Sequence, residues 1–296
     1  MSITTQVVVL FIVVLAGVIC RKLGYLNDAC IHGMTQLVVN VTLPCTTIVN
    51  MQRPFSMDVL HNFVLTLVLS MVIFLAGMLV GWAVFRRRPR EKRAVLMSIS
   101  AFSNCGFMGY PIILAINPDW MIYAVACNIG YLIVAWTIGV SLFCGRENIT
   151  LRRVLLHPNL VSAAIGFALF ALGITIPDVP QQALSLLGSL TTPLSMLLIG
   201  TRISGIRLED FKDRDYHVLA VVRLVVMPLL VYAALLPFHL LPAVAGTLFI
   251  LMAMPGPTMT GMQAELYGGD VVFAARAIAY TTLLSLISVP LLSALM

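Results

Sequence analysis

Two short stretches of the sequence carry amide and hydroxyl side chains among glycine and proline, in otherwise apolar surroundings. They are Ser103–Pro111 and Met254–Gly261. Proline removes a backbone donor and glycine permits non-helical turns, so both stretches predict breaks in helices. A helix that starts after such a break presents free N–H groups with partial positive charge, and these groups favour a carboxylate or another small anion.

Polar residues beside the two breaks are the candidate ligands of such an anion. Asn104 offers an amide donor at the first break, and Thr258, Thr260 and Gln263 offer hydroxyl and amide groups around the second. The full set of candidate substrate-binding residues is Asn104, Gly106, Gly109, Pro111, Asn128, Pro255, Pro257, Thr258, Thr260, Gln263 and Arg276.

Three polar residues inside apolar segments leave alternatives open. Asn128 could bind substrate or make an interhelical hydrogen bond instead. Arg223 and Arg276 could attract an anion, but each could also extend to the membrane surface or pair with an acid. The six cysteines show neither CxxC pairs nor zinc-type spacing with histidine, so no cofactor and no metal are predicted.

The composition requires a membrane around these residues. Of the 296 residues, 60% are hydrophobic and only 10% are charged, and the mean hydropathy is +1.01. Apolar runs long enough for a bilayer core follow one another along the chain. Because lipid offers the backbone no hydrogen bonds, and the alternation of a β-barrel is absent, the fold class is an all-α integral membrane protein.

Ten transmembrane helices are predicted, and the fourth and ninth contain the two breaks. The predicted spans are Ile3–Cys20, Thr35–Met51, His61–Phe85, Ala94–Ile116, Trp120–Phe143, Leu160–Ile174, Ala183–Ile203, His217–Phe238, Ala243–Met262 and Val272–Met296.

The positions of Lys and Arg between the spans predict the orientation. Fifteen of the eighteen fall in the connections after spans one, three, five and seven, Arg53 lies on the opposite side, and Arg223 and Arg276 lie within spans. The basic side of a membrane protein faces the cytoplasm, so both termini are expected outside it. The net charge of +6 is thereby a topology signal, and a nucleic-acid partner is not expected because the basic residues are confined to short connections.

The two halves of the chain show an internal repeat at an offset of 149 residues. The matching residues are Gly17 with Gly166, Leu23-Gly24 with Leu172-Gly173, Leu37 with Leu186, Pro44 with Pro193, and, at a shorter offset, Pro111 with Pro255 or Pro257. Five spans in each half make the repeat inverted. The predicted units are residues 1–145, a cytoplasmic connection at 146–158, and residues 159–296. Symmetric broken helices near mid-membrane are the sequence signature of a transport site.

These motifs resemble the auxin efflux carrier family, which includes plant auxin carriers and bacterial organic-acid permeases. The resemblance covers nearly the whole chain and is most specific at Asn104–Ile112. Its other parts are Leu43-Pro44, Asn128 within Ala126–Gly130, His157-Pro158-Asn159, Gly166, Gly173–Pro177, Pro193–Gly200, Arg223–Pro228, Pro255 and Tyr267–Asp270.

The resemblance implies an elevator-like secondary transporter of a small organic anion. Helices 1, 2, 6 and 7 would form a scaffold, and helices 3–5 and 8–10 a transport domain with crossing breaks at Pro111 and at Pro255/Pro257. The short connection between helices five and six implies a bacterial-style member in an inner membrane, without the long regulatory loop of many plant members. The expected partners are the anion and the lipid bilayer, and a homodimer is left open.

Two rival functions are weighed against this one. A sodium-coupled symporter of the bile-acid transporter type shares the ten-helix arrangement, but its sodium sites need an acid near the crossing, where Gln263 stands without one. A receptor or a membrane enzyme is the other alternative. Catalysis would need a reactive constellation within a span, such as Ser with Lys or paired Asp, and none is found. The sequence leaves coupling to protons or sodium open.

Overall fold

Helices account for most of the computed structural model, which describes residues 3–144 and 155–294. In the first half the α-helices are α1 Ile3–Lys22, α2 Asp28–Leu37, α3 Leu43–Asn50, α4 Met57–Phe85, α5 Arg90–Ala101, α6 Tyr110–Ile116, α7 Met121–Val134 and α8 Val140–Cys144. In the second half they are α9 Pro158–Leu172, α10 Asp178–Ser189, α11 Thr191–Ile203, α12 Arg214–Val221, α13 Met227–Leu235, α14 Pro242–Ala253, α15 Thr258–Tyr267 and α16 Val271–Ser293.

Several of these helices are joined end to end by single wide or tight turns. The wide, π-type turns are Val38–Thr42, Cys105–Gly109, Ala135–Gly139 and Val222–Val226, and the tight 3₁₀ turns are Pro118–Trp120, Leu208–Lys212 and Leu236–Phe238. The described residues contain no strand, which confirms the all-α fold class. The predicted connection at 146–158, including Arg146, Arg152 and Arg153, lies mostly outside the described residues.

Length and composition identify the helices that can cross a membrane. In the described ranges there are six: Met57–Phe85, Arg90–Ile116, Pro118–Cys144, Asp178–Ile203, Arg214–Phe238 and Val271–Ser293. The pair α14 and α15, bent by 56°, makes a seventh if it counts as one span, and α9 is a shorter apolar helix. The chain is therefore a multi-pass membrane protein, while the count of ten spans and the inverted repeat stay predictions.

Three of the π turns have a common cause in proline. Each ends two residues before a proline: Thr42 before Pro44, Gly109 before Pro111, and Val226 before Pro228. Proline lacks the N–H that would bond to the preceding turn, and its ring collides with the carbonyl four residues earlier. Widening that turn relieves the collision and lets the helix continue.

The two predicted breaks are both present, but one is displaced. The second lies at Met254–Pro257, between α14 and α15, as predicted. The first lies at Phe102–Asn104, where the backbone leaves the helix after α5, and not at Pro111. Pro111 instead lies in α6, which continues from the widened turn Cys105–Gly109, and that turn accommodates the proline without ending the helix. The prediction of a break at Pro111 was wrong in position for that reason.

Close helix packing organises the rest of the fold. Helix α1 packs along α11, and α3 packs against α9 and α10. Between α1 and α11 the backbones touch at glycine, because a Cβ on Gly200 would lie only 2.8 Å from the Cα of Gly17. The long helix α4 packs against α5 and α7. Only 33% of its most apolar window is buried, against 72% for Arg90–Ile116, so α4 is peripheral and the broken helix is central.

Ion pairs join connections that the predicted topology places on the same side of the membrane. Lys92 Nζ lies 2.8 Å from Asp215 Oδ2, and Arg88 Nη2 lies 2.6 Å from Asp215 Oδ1. These bonds join the connections after the third and seventh predicted spans on one face. Arg53 and Asp119, 3.8 Å apart, join the connections after the second and fourth.

Candidate functional site

The two helix breaks are in direct contact. The backbone N–H of Asn104 donates to the carbonyl oxygen of Pro255 at 2.9 Å, and the N–H of Gly256 donates to Thr281 Oγ1 at 3.2 Å. These bonds satisfy backbone groups that lost their helical partners when the chain left the helix. They also bring the four helix ends at the breaks, those of α5, α6, α14 and α15, to one place.

Arg223 joins the carbonyl ends of both broken helices. Its side chain is completely buried, at 0% exposure. Nε donates to Met254 O at 2.9 Å and Nη2 to Met252 O at 2.8 Å, at the end of α14. Nη1 donates to Ser100 O at 3.3 Å and to Ala101 O at 3.4 Å, at the end of α5. The guanidinium thus supplies the donors that two helix C-termini lack.

The opposite ends of the breaks open on a cavity of about 290 Å³. The wide turn before α6 and the first turn of α15 form one side of it, and α2, α3 and the start of α9 contribute to the other. Its lining residues are Thr35, Gln36, Val39, Leu43, Ser103, Asn104, Cys105, Gly106, Phe107, Asn128, Tyr131, Leu132, His157, Asn159, Pro257, Thr258, Met259 and Met262.

Free backbone donors stand at this cavity on both broken helices. The N–H groups of Gly106 and Phe107, and those of Thr258 and Met259, donate to no acceptor among the described residues. All four residues line the cavity. The lining contains no Asp, Glu, Lys or Arg among the described residues. The field there is therefore set by two helix N-termini, which favour negative charge.

Two amide side chains at the cavity also lack partners. Asn104 is only 6% exposed, and its amide makes no hydrogen bond with another described residue. Asn159 Oδ1 is buried and unpaired as well, although the Asn159 N–H donates to His157 Nδ1 at 3.3 Å. Buried polar groups without partners are uncommon in native proteins and point to a ligand or ordered water.

The predicted site residues divide into two groups. Asn104, Gly106, Asn128, Pro257 and Thr258 line the cavity. The others lie elsewhere and connect helices. Thr260 Oγ1 lies 2.9 Å from Ser98 Oγ, and Gln263 Nε2 donates to Ala135 O at 2.9 Å. The carbonyl of Pro255 accepts from Asn104, as described above. Gly109 packs against Leu251 with no room for a Cβ, and Pro111 lies in α6.

Arg276 does not line the cavity. Its Nη1 lies 3.3 Å from Asp210 Oδ1, in an ion pair with a carboxylate that is 2% exposed. Pairing with an acid was one of the alternatives for this residue. No group of three or more His, Cys, Asp or Glu in the described ranges is arranged to hold a metal ion.

The sequence did not predict most of the cavity lining or the role of Arg223. Thr35, Gln36, Tyr131, His157 and Asn159 line the cavity, but they belong to helices outside the two broken ones. The motif His157-Pro158-Asn159 gave a signal, because a polar N-cap next to proline is typical of a helix start that faces polar surroundings. Nothing local to Arg223 indicates that its partners lie on two other helices.

The sequence model of a family described as membrane transport protein matches residues 2–150 and 147–293. An uncharacterized transporter of Methanocaldococcus jannaschii is 24% identical over 299 residues, covering 96% of each chain. An uncharacterized transporter of Methanothermobacter thermautotrophicus is 26% identical over 306 residues, covering 99% of this chain and 98% of the relative.

Proposed function

We propose that this chain, which belongs to the membrane transport protein family, is a secondary transporter of small organic carboxylates working by alternating access. Membership confirms the resemblance to the auxin efflux carrier family. The chain is a multi-pass membrane transporter, in keeping with its relatives. The substrate class, the mechanism and the driving force are the finer parts of the proposal.

The observation that supports a carboxylate substrate is the set of unpaired donors at the cavity. Four backbone N–H groups and the Asn104 amide converge there, and the described lining carries no acid. A carboxylate has two oxygens that can accept several of these bonds at once. Partial charges at helix ends are sufficient to favour one anionic group without a full positive charge in the lining.

The rest of the lining supports a small substrate with an apolar body. Val39, Leu43, Phe107, Leu132 and Met262 supply apolar side chains to the lining. A volume of about 290 Å³ is near the lower end of the range for small-molecule sites. A carboxylate with a short aliphatic or hydroxylated chain fits both the size and the lining.

Contacts between helices support an elevator-like division into scaffold and transport domains. Asn104 to Pro255, Ser98 to Thr260, and Gln263 to Ala135 all join helices assigned to the transport domain. The bonds of Arg223 do the same. The cavity lies where these helices meet α2, α3 and α9 of the proposed scaffold, so relative movement of the two groups would carry the site with the broken helices.

Substitution of Asn104 tests the site. In proteoliposomes, Asn104→Ala should weaken carboxylate binding by one hydrogen bond to a charged group, about 1.5–3 kcal/mol or roughly 10- to 150-fold in affinity. Asn104→Asp should reduce transport further at neutral pH, because a carboxylate then faces the substrate carboxylate. Lowering the pH should restore part of that loss as the new acid is neutralised.

The assay is uptake of a panel of radiolabelled mono-, di- and hydroxycarboxylates at matched protein levels. Asn62→Ala is the control, since the Asn62 amide bonds only to the Asp58 carbonyl in its own helix. Thermal stabilisation of the purified protein by the same panel identifies ligands independently of flux. Equal transport by wild type and both Asn104 variants would remove Asn104 from the site.

A further inference from the structure

Arg223 is a buried cation without an anionic partner. Its side chain is completely buried, and none of the ion pairs among the described residues includes it. Every hydrogen bond it makes goes to a neutral backbone carbonyl: those of Ser100, Ala101, Met252 and Met254. Buried arginines are ordinarily paired with a carboxylate, because an uncompensated charge in the interior is costly.

The charge is balanced here by two helix ends. The carbonyl end of a helix carries about half a negative charge, so the ends of α5 and α14 together supply about one unit. That sum matches the single positive charge of a guanidinium. The planar fork of five donors also suits carbonyl oxygens that arrive from two directions.

Converging carbonyl oxygens at broken membrane helices are also the ligands that an inorganic cation would take. In transporters with discontinuous helices, unwound carbonyls and half-helix C-terminal ends coordinate sodium. In this protein the same kind of oxygen ligands already surround a cation that is covalently part of the chain. A free cation placed there would overlap the guanidinium and would be repelled by its positive charge.

We propose that Arg223 is a built-in cation that occupies the carbonyl site between the two broken helices, so that the transporter holds its site together without sodium or another inorganic cation. Arg223 is a positioning residue: it fixes the α5 and α14 ends, and thereby the free N–H groups on the opposite side of each break. The inference rests on the proposed function in one respect: in a secondary transporter, the inorganic cation that Arg223 replaces would be a coupling ion.

The test is the melting temperature of purified protein in sodium chloride and in choline chloride at equal ionic strength. The wild type should melt at the same temperature in both salts. Arg223→Ala leaves a set of carbonyls without a cation, so its Tm should fall by at least about 5 °C in choline chloride. Sodium, and more strongly ethylguanidinium, should then raise the Tm of this variant by binding only the folded state.

Arg53→Ala and Arg223→Lys are the matched controls. Arg53 lies 3.8 Å from the exposed carboxylate of Asp119, so its removal leaves no buried unpaired charge, and its variant should gain nothing from ethylguanidinium beyond the wild type. Arg223→Lys keeps the charge and should stay insensitive to sodium. If Arg223→Ala is not monodisperse after extraction, the monodisperse yield with and without ethylguanidinium is measured instead, and it should rise with ethylguanidinium but not with choline.

Three results would overturn the inference. They are a wild-type Tm that rises in sodium relative to choline, an Arg223→Ala variant as stable as the wild type, and an Arg223→Ala variant that neither cation rescues. Because Tm is measured without substrate, these outcomes do not depend on carboxylate transport. Absence of carboxylate flux, with the expected Tm results intact, would count against the proposed substrate alone.

Discussion

Polar side chains around the crossing fall into two groups: those that donate hydrogen bonds to backbone carbonyls, and those that have no hydrogen-bond partner among the described residues. Gln263 and Arg223 bond to carbonyls of other helices, and such bonds hold irregular backbone inside a membrane. Asn159 has a buried, unpaired amide oxygen, the Asn104 amide bonds to no other described residue, and both residues line the cavity. The division separates structural residues from candidate ligands better than residue type does, since Gln263 and Asn104 carry the same functional group.

His157 gives the stability of the folded protein a predictable dependence on pH. It precedes α9, outside the predicted spans, and burial lowers its pKa to about 4, from an ordinary value of about 6.5. At a pH between these two pKa values, His157 is protonated in the unfolded chain and neutral in the folded chain. Stability is therefore present above about pH 6.5 and is lost as the pH falls toward 4.

Replacing His157 should flatten this response. The free energy of unfolding, and with it the Tm, should fall as the pH drops from about 6.5 to 4. His157→Gln should remove on the order of 3 kcal/mol of that loss in unfolding free energy. Scanning calorimetry or fluorescence melting across this pH range measures it. His61→Gln, at an exposed histidine, is the control and should keep the wild-type slope, and an unchanged slope in His157→Gln as well would contradict a buried neutral imidazole.

Residue types near the breaks were predictable from the sequence, while their partners were not. Asn104, Gly106 and Thr258 stand in glycine- and proline-rich strings, and they reached the cavity. Thr260 and Gln263 stand in the same string but face other helices. Which face of a helix meets a cavity depends on how that helix is packed. A short irregular sequence does not contain that information.

Five of the prolines show two different effects on the helices of this fold. Inside a helix, Pro44, Pro111 and Pro228 each follow a widened turn and leave the helix continuous. Pro255 and Pro257 flank Gly256, and there the helix stops and bends by 56°. A single proline is therefore not enough to predict a break, and the prediction of one at Pro111 was wrong. Two prolines around a glycine predicted one correctly, because they remove donors and add backbone freedom together.

The contact of α1 with α11 should be sensitive to a single methyl group. A Cβ on Gly200 would overlap the Val14 carbonyl oxygen, so Gly200→Ala must push the two helices apart. Such overpacking costs about 1–3 kcal/mol, and the measurement is the Tm of the purified variant. Gly33→Ala is the matched control, since nothing lies within 4 Å of its Cβ position in α2. Its Tm should be unchanged or slightly higher because alanine favours helix. Equal Tm values for the two variants would show that α1 and α11 are not in close contact.

The distribution of charge predicts the orientation of the whole molecule. The connections that carry Lys92 and Asp215 lie on one face, joined by an ion pair of 2.8 Å, as expected if an even number of spans separates them. Composition alone predicted a membrane protein, because 60% hydrophobic residues exceed what a soluble domain contains. The number of spans was harder to predict, because α9 is short and the α14–α15 pair is bent.

Parity of the termini distinguishes ten spans from seven. An even number returns the C-terminus to the side of the N-terminus, whereas an odd number places them on opposite sides. With the basic connection at Arg86–Arg93 in the cytoplasm, ten spans place both termini outside.

In a bacterial expression host, a phosphatase fused after Met296 should therefore be active, and a green fluorescent protein at the same point should be dark. A cysteine at Arg87, introduced after the six native cysteines are replaced, should react with an impermeant maleimide only in broken cells. A cysteine at His239, on the opposite side, is the control and should react in intact cells. A fluorescent C-terminal fusion would exclude ten spans in this orientation.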